Sequence, residues 1–489
     1  MNSALVIVIL ISYFALLLLI SHLTSRNADT ESFFTANRQS PWYLVAFGMV
    51  GASLSGITFI SIPGEVGNTA FSYFQVVLGY LVGYLVIGTV LLPLYYRLNL
   101  VSIYTYLENR FGFWSYKTSA IFFLISKVVG ASLRLFIVAS VLQLAAFDQW
   151  GVPFWLTVVI TIILIWIYTF RGGIKTIVFT DTLQTFFMLT AVGVSIYLVS
   201  KDLNLSVFEI ATSVEESKLS QIFFWDWQSG QNFFKQFFAG AFIAIVMTGL
   251  DQDMMQKNLT CRSLKDAQKN VFWFSVVLVI SNFMFLSLGA LLYLYASVNQ
   301  IPIPESTDDL YPLLALNHFH VVASVIFLLG IIAAAYSSAD SALTALTTSF
   351  CVDILGFNHK TEAQKKKIRM RVHIGFSLVL LAVILVFQVI NDTSVINSLF
   401  IAAGYTYGPI LGLFSFGMFT NLRIRDRWVL VIGILAPVLS YILNINSEAW
   451  LFGYKFGFEI LIVNGLFTFL GLWLISIKKS PDLPNAFNA

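Results

Sequence analysis

Residues 48–63 read Gly48-Met49-Val50-Gly51-Ala52-Ser53-Leu54-Ser55-Gly56-Ile57-Thr58-Phe59-Ile60-Ser61-Ile62-Pro63. They sit in an apolar run, yet three glycines, three serines and a threonine interrupt it. Backbone inside a bilayer has no water to bond to, so a crossing helix normally stays regular. One reading of this stretch is tight helix packing through small residues. The other is a discontinuous helix whose freed carbonyls and hydroxyls line a polar cavity.

The whole chain supports a membrane setting. Of 489 residues 58% are hydrophobic, 16% aromatic and 11% charged. A soluble globule carries roughly 25% charged residues, so a water-facing surface cannot be assembled. With 46 Phe and 2 Cys, disorder and a disulfide scaffold are excluded as well. Thirteen runs are long enough to cross, at 4–22, 42–62, 72–96, 118–147, 153–170, 177–199, 233–250, 271–297, 320–350, 372–390, 394–419, 428–443 and 456–477. They lack the alternation of a β-barrel, and the first lacks the basic flank of a cleavable signal peptide. Lys and Arg test the count: 22 fall in alternate connections, among them Arg38, Arg97, Lys257 and Arg425. The opposite set holds four, Lys201, Lys218, Lys235 and Lys455. This bias predicts a multi-pass protein of the cell (inner) membrane, N-terminus outside and C-terminus cytoplasmic. Cys261 and Cys351 then face the reducing side. The net charge of +3 is the positive-inside excess and no sign of nucleic-acid binding.

Polar groups within the runs carry the functional reading, because they are costly there. The ninth run holds Ala333-Ala334-Ala335-Tyr336-Ser337-Ser338-Ala339-Asp340-Ser341. Helical spacing puts Ser337, Asp340 and Ser341 on one face, with Ala334 and Ser338 one strip over. Asp340 is then paired with a neighbouring helix, hydrated or bound to a cation. Asp181 enters the sixth run in the same cytoplasmic half, as a cation ligand or an interfacial acid. Neither acid has an evident basic partner at its depth, although Lys127 approaches. Lys127 and Arg134 share a face of the fourth run. Arg134 is deep enough to need an acid or an anionic substrate, while Lys127 can snorkel. Gly404-Tyr405-Thr406-Tyr407-Gly408-Pro409 predicts a kink in the eleventh run, passive or gating. A broken helix beside intramembrane charge is the pattern of a secondary transporter.

Five motifs in order resemble the sodium/solute symporter family, the group of the sodium–glucose, proline and sialic-acid transporters, over about residues 5–420. They are residues 55–63; Arg171-Gly-Gly-Ile174 through Asp181 to Gln184; Asp251-Gln-Asp-Met-Met-Gln-Lys-Asn-Leu259; the serine run at 333–341; and Tyr405 to Pro409. The resemblance implies an all-α polytopic membrane protein of about thirteen transmembrane helices, built on an inverted five-helix repeat of the leucine-transporter type. Residues 1–41 would hold the first helix and a cytoplasmic loop, 42–199 the first repeat and 200–232 an outer loop. Residues 233–420 would form the second repeat, 421–479 two C-terminal helices and 480–489 a short cytoplasmic tail.

The same resemblance implies sodium (Na+) as the coupling ion, held by Gly51, Leu54, Ala334, Ser337 and Ser338. It implies a second sodium position at Asp181, Ser337, Asp340 and Ser341, where Asp340 departs from the serine of the family pattern. Ser53, Ser55 and Thr58 match hydroxyls that hold a sugar carboxylate, with Tyr73 and Arg134 as further solute residues. The glutamine and arginine of the sialic-acid members fall at Val77 and Gly130, so Arg134, one turn away, serves only in a shifted pose. Gly404, Tyr405, Tyr407, Gly408 and Pro409 form the expected gate or hinge. The implied function is sodium-coupled import of a small organic solute by alternating access. An acidic sugar such as sialic acid or another small carboxylate is favoured, with a neutral sugar or amino acid as the alternative. A transporter-like sensor is the reading from another class. Such sensors usually append a signalling domain, and about a dozen residues follow the last run. An intramembrane enzyme is disfavoured, since His22, His318, His320, His359 and His373 lie near run ends or in loops. The expected partners are the solute, sodium and lipid, without nucleic acid or an obligate protein partner.

Overall fold

Helix is the one regular structure that lets a single apolar segment satisfy its own backbone in lipid, and this chain is built from it almost throughout. The computed structural model describes residues 3–25, 36–100, 102–356, 360–390 and 394–477. Helix α1 (Ser3–Ser25) precedes a broken pair, α2 (Trp42–Ser53) and α3 (Gly56–Thr69), bent by 55°. Then come α4 (Tyr73–Val86), α5 (Phe113–Leu142) and α6 (Phe154–Asp202). A second broken pair follows, α7 (Phe233–Ala244) and α8 (Gln252–Asn258), bent by 70°. After α9 (Leu264–Val298), α10 (Val321–Ser349) and α11 (Glu362–Ile390) comes a third, α12 (Val395–Thr406) and α13 (Gly408–Phe419), bent by 46°. Helices α14 (Val429–Ile445) and α15 (Ile460–Leu474) follow, and shorter helices lie in the connections. A two-residue antiparallel ribbon pairs Arg423 with Ile477 and Ile424 with Ser476.

By length and apolarity, eight helices among the described residues can cross a membrane, or eleven if each bent pair is one span. Phe154–Trp166 and Ile460–Leu474 are apolar but shorter. One expectation is corrected. The fifth and sixth runs, read as two helices with a loop between them, lie in the single helix α6 of 49 residues. At 1.5 Å per residue that is roughly 74 Å of helix, more than twice a ~30 Å core. The side chains of 167–173 and 175, with the Arg171-Gly-Gly motif, lie outside the described residues. So do Arg26 and the tail from Lys478 onward.

Helix α6 runs beside α10, α2 and α1, and α10 also packs on α5. Helices α4 and α7 approach through small residues: a Cβ on Gly79 would stand 2.0 Å from Phe237 O, and one on Gly240 2.1 Å from Val76 O. No side chain fits in that seam, which lets the two backbones touch. Each of the two helices ends in a π-turn, Ile87–Leu91 and Ile245–Gly249, and the turns meet where a Cβ on Gly249 would stand 2.5 Å from Leu91. Outward faces carry large apolar side chains such as Val389 (82% exposed) and Phe186 (56%), as a lipid-facing surface requires.

Candidate transport site

The break between α2 and α3 organises the site. Leu54 (φ −81°, ψ 73°) and Ser55 (φ −72°, ψ 179°) leave the helical region. The last carbonyls of α2 and the first N–H groups of α3 therefore lose the partners a continuous helix would give them. Ser338 on α10 answers one of them, donating to Ala52 O at 3.3 Å while sharing its proton with Ala334 O at 3.3 Å. On the other flank the Gly51 N–H donates to Thr185 Oγ1 at 3.0 Å. A Cβ at position 51 would stand 2.2 Å from that oxygen, so glycine is what admits α6 this close. Carbonyl and hydroxyl oxygens from α2 and α10 thus converge, the donor chemistry of a hard cation. Leu54 and Ser338 border the central cavity. Gly51 and Ala334 lie within a turn of the Ser338–Ala52 contact, and Ser337 turns toward Asp181.

All five residues expected to meet a solute, Ser53, Ser55, Thr58, Tyr73 and Arg134, border one central cavity. Arg134 makes no ion pair or hydrogen bond among the described residues, and its Nε is buried without a partner. Ile57 and Thr58, in the first turn of α3, line the same space. A helix N-terminus with free N–H groups favours an anion.

A buried charge network borders the same cavity, which Lys127, Asp251 and Asp253 also line. Lys127 Nζ stands 2.8 Å from Asp253 Oδ2 and 3.2 Å from Asp251 Oδ1. Asp251 also caps α8, accepting from the N–H groups of Asp253 and Met254 at 3.0 and 3.2 Å. Lys127 therefore neither snorkels nor approaches Asp181; it holds the second break. The missing partner of Asp181 is Lys257, whose Nζ lies 2.8 Å from Asp181 Oδ2. The Lys/Arg alternation assigns Lys257 to a cytoplasmic connection, yet it is 1% exposed. The reason is that the seventh span does not stop at residue 250 but turns and continues as α8. Ser337 Oγ donates to Asp181 Oδ1 at 2.8 Å. Asp340 is wholly buried, accepts the Ser341 N–H at 2.5 Å and lies within electrostatic reach of Lys257. Ser341 Oγ has no hydrogen-bond partner among the described residues.

The expected hinge divides in two. Tyr407 faces the cavity, and its hydroxyl donates to Asp251 Oδ2 at 2.7 Å. Tyr405 faces away, its hydroxyl accepting from Asn444 Nδ2 at 2.9 Å. Asn464 braces the bend through the main-chain oxygens of Gly404 and Tyr405, at 3.0 and 2.9 Å. The 46° bend falls at the Gly408-Pro409 step that predicted it. On the opposite side the Tyr73 ring stacks on Phe400 at 6.2 Å, and its hydroxyl bonds Tyr80 at 2.9 Å. Tyr73, Ile396 and Phe400 also border a second cavity, lined by Glu65, Gln236 and Asn397. The Tyr73–Phe400 pair is a partition between two spaces.

Sequence reasoning did not assign Asp253, Lys257, Tyr80 or Phe400, nor did it find the second break. A signal for the break was present: Gly249 after an apolar run, then Asp251 at a cap position.

Residues 33–426 match the sodium:solute symporter family. The sodium/sialic acid symporter SiaT of Proteus mirabilis is 24% identical over 446 residues, 88% of this chain and 88% of that protein. NanT of Aliivibrio fischeri, also a sodium/sialic acid symporter, is 24% identical over 427 residues, 85% of this chain and 82% of that one. The fold is similar to that of a Na+-coupled sialic acid symporter in a substrate-bound outward-open state, with TM-score 0.80 at 20% identity. That likeness covers 96% of this chain and 97% of the other. The chain is a multi-pass membrane protein of the sodium:solute symporter family, with sodium as its coupling ion.

Proposed function

We propose that this symporter imports a small organic anion, an acidic sugar of the sialic-acid kind or a related carboxylate, by alternating access. One observation carries the reading: Arg134 lines the central cavity without a salt bridge or hydrogen bond among the described residues, Asp253 being within electrostatic reach only. A guanidinium at that depth needs an anion, and a substrate carboxylate supplies one. The relatives named above carry sialic acid, which is a carboxylate.

In this reading sodium binds main-chain oxygens of Gly51, Leu54 and Ala334 with the hydroxyls of Ser337 and Ser338. It draws α2 to α10 and so sets the N-terminus of α3. The solute carboxylate then meets Ser53, Ser55 and Thr58 with Arg134 beside them. Residues 42–199 and 233–420 act as the two repeats that move against each other, with the N-terminus outside and the C-terminus cytoplasmic. Tyr73 with Phe400 closes the outer side, Tyr407 with Asp251 the inner, and residues 404–409 supply the hinge. Loss of sodium to the cytoplasm releases both cargoes, and no residue is assigned a catalytic role. The test is thermal stabilisation of the purified protein by acidic sugars, neutral sugars and amino acids, each with and without sodium, followed by uptake into proteoliposomes. Sodium-dependent stabilisation by acidic sugars is expected. Equal stabilisation by neutral solutes overturns the anion, and binding without uptake overturns import in favour of a sensor.

A further inference from the structure

We infer that Lys257 is a tethered cation that fills the second cation position of the core, so that one sodium ion is coupled to each solute. This rests on the symport reading above and deepens it. The position in question is the one built from Asp181, Ser337, Asp340 and Ser341, and those residues do not fit a second sodium. Asp181 is wholly buried and both its oxygens are engaged, Oδ1 by the Ser337 hydroxyl and Oδ2 by the Lys257 ammonium, each at 2.8 Å. Asp340 Oδ1 is taken by the Ser341 N–H. An incoming monovalent cation would have to displace an ammonium that is 1% exposed and so has no water to retreat into.

Asp340 also gains an explanation. The family pattern has serine there, whose hydroxyl can ligate an ion. A carboxylate instead adds negative charge within reach of Lys257, which favours a resident ammonium. Lys257 further does what a bound ion would do mechanically. It sits on α8, beyond the second break, and α8 touches α2, α6 and α10. Its bond to Asp181 fastens α8 to α6, and Asp181 in turn holds Ser337 on α10, one residue from the hydroxyl that meets Ala52. The charge is built into the moving part and does not exchange with solution.

The experiment reads the sodium Hill coefficient and the sodium-to-solute flux ratio of uptake in proteoliposomes. Wild type is expected near one for each, and Lys257→Gln, which frees a carboxylate oxygen, is expected to move toward two. The double variant Lys257→Gln with Asp181→Asn returns toward one. A wild-type coefficient near two, or a Lys257→Gln value unchanged from one, overturns the inference. Should Lys257→Gln fail to fold, Asp181→Asn alone still decides. Its coefficient stays near one if Lys257 is the resident cation, and a fall from two to one overturns that. Uptake with no sodium dependence in wild type overturns the symport reading itself, a result distinct from a coefficient of two.

Discussion

Tyr407 donates a 2.7 Å hydrogen bond to Asp251, joining the bend between α12 and α13 to the break between α7 and α8. Two irregular points far apart in the chain are thus closed by one bond, with Lys127 on the same carboxylate. Bonds to charged groups contribute about 1.5–3 kcal/mol. Tyr407→Phe should therefore raise the fraction of molecules open to the cytoplasm by about 10-fold or more. Thiol labelling of Ser126→Cys, a cavity position, from the cytoplasmic side of oriented vesicles measures this. Equal labelling rates with and without the Tyr407 hydroxyl would show that the bond closes nothing.

Arg134→Ala should weaken solute binding by about 10–100-fold, the value of a charge-assisted contact. Sodium binding in the absence of solute should hardly change, and the variant should fold, because no ion pair is lost among the described residues. Calorimetric titration separates these outcomes. A variant that misfolds, or that binds solute normally, contradicts the role.

Replacing Ser337 and Ser338 together by alanine should remove the sodium dependence of uptake while membrane expression persists. Ser338 is the side chain that meets the opened end of α2, at Ala52. Uptake that keeps its sodium dependence in the double variant would exclude these hydroxyls as ligands.

Asp308, in the connection between α9 and α10, makes stability depend on pH. Burial pushes its carboxyl up to about 6 from an ordinary 3.8, more than the Val395 N–H at 2.9 Å can offset. With the folded-state value above the unfolded one, the native protein holds the extra proton between about pH 4 and 6. Stability falls as pH rises through that window, and the penalty is fully present above it. Asp308→Asn keeps an acceptor for Val395 and removes the charge. Its melting midpoint should exceed wild type by a few degrees at pH 8 and match it at pH 4. A difference that is the same at both values would mean that ionisation of Asp308 is not involved.

The features legible in the sequence are those where one residue type alters lipid-helix chemistry locally. Glycine, serine and proline mark the break at Leu54–Ser55 and the bend before Pro409, and both are where they were expected. The second break leaves only a faint mark, Gly249 and then Asp251, because the π-turn Ile245–Gly249 keeps the backbone before it hydrogen-bonded. The partner of Asp181 was not legible. Lys257 lies 76 positions away, and a lysine after an apolar run reads as a loop residue until the chain is known to fold back. Tyr80 and Phe400 look like ordinary lipid-facing aromatics, since nothing local says that they point inward.

The paired π-turns carry a consequence for how Asp251 is aimed. A π-turn holds one residue more than the α-helical turn it replaces, and one residue is worth roughly 100° of azimuth. Everything beyond Gly249 is rotated by that phase, Asp251 first. Removing a residue from 245–249 would give a straighter, more regular helix and swing the carboxylate off Lys127 and Tyr407. The local irregularity is the compass setting of the charge network, and a smoother α7 would point it at the wrong neighbour.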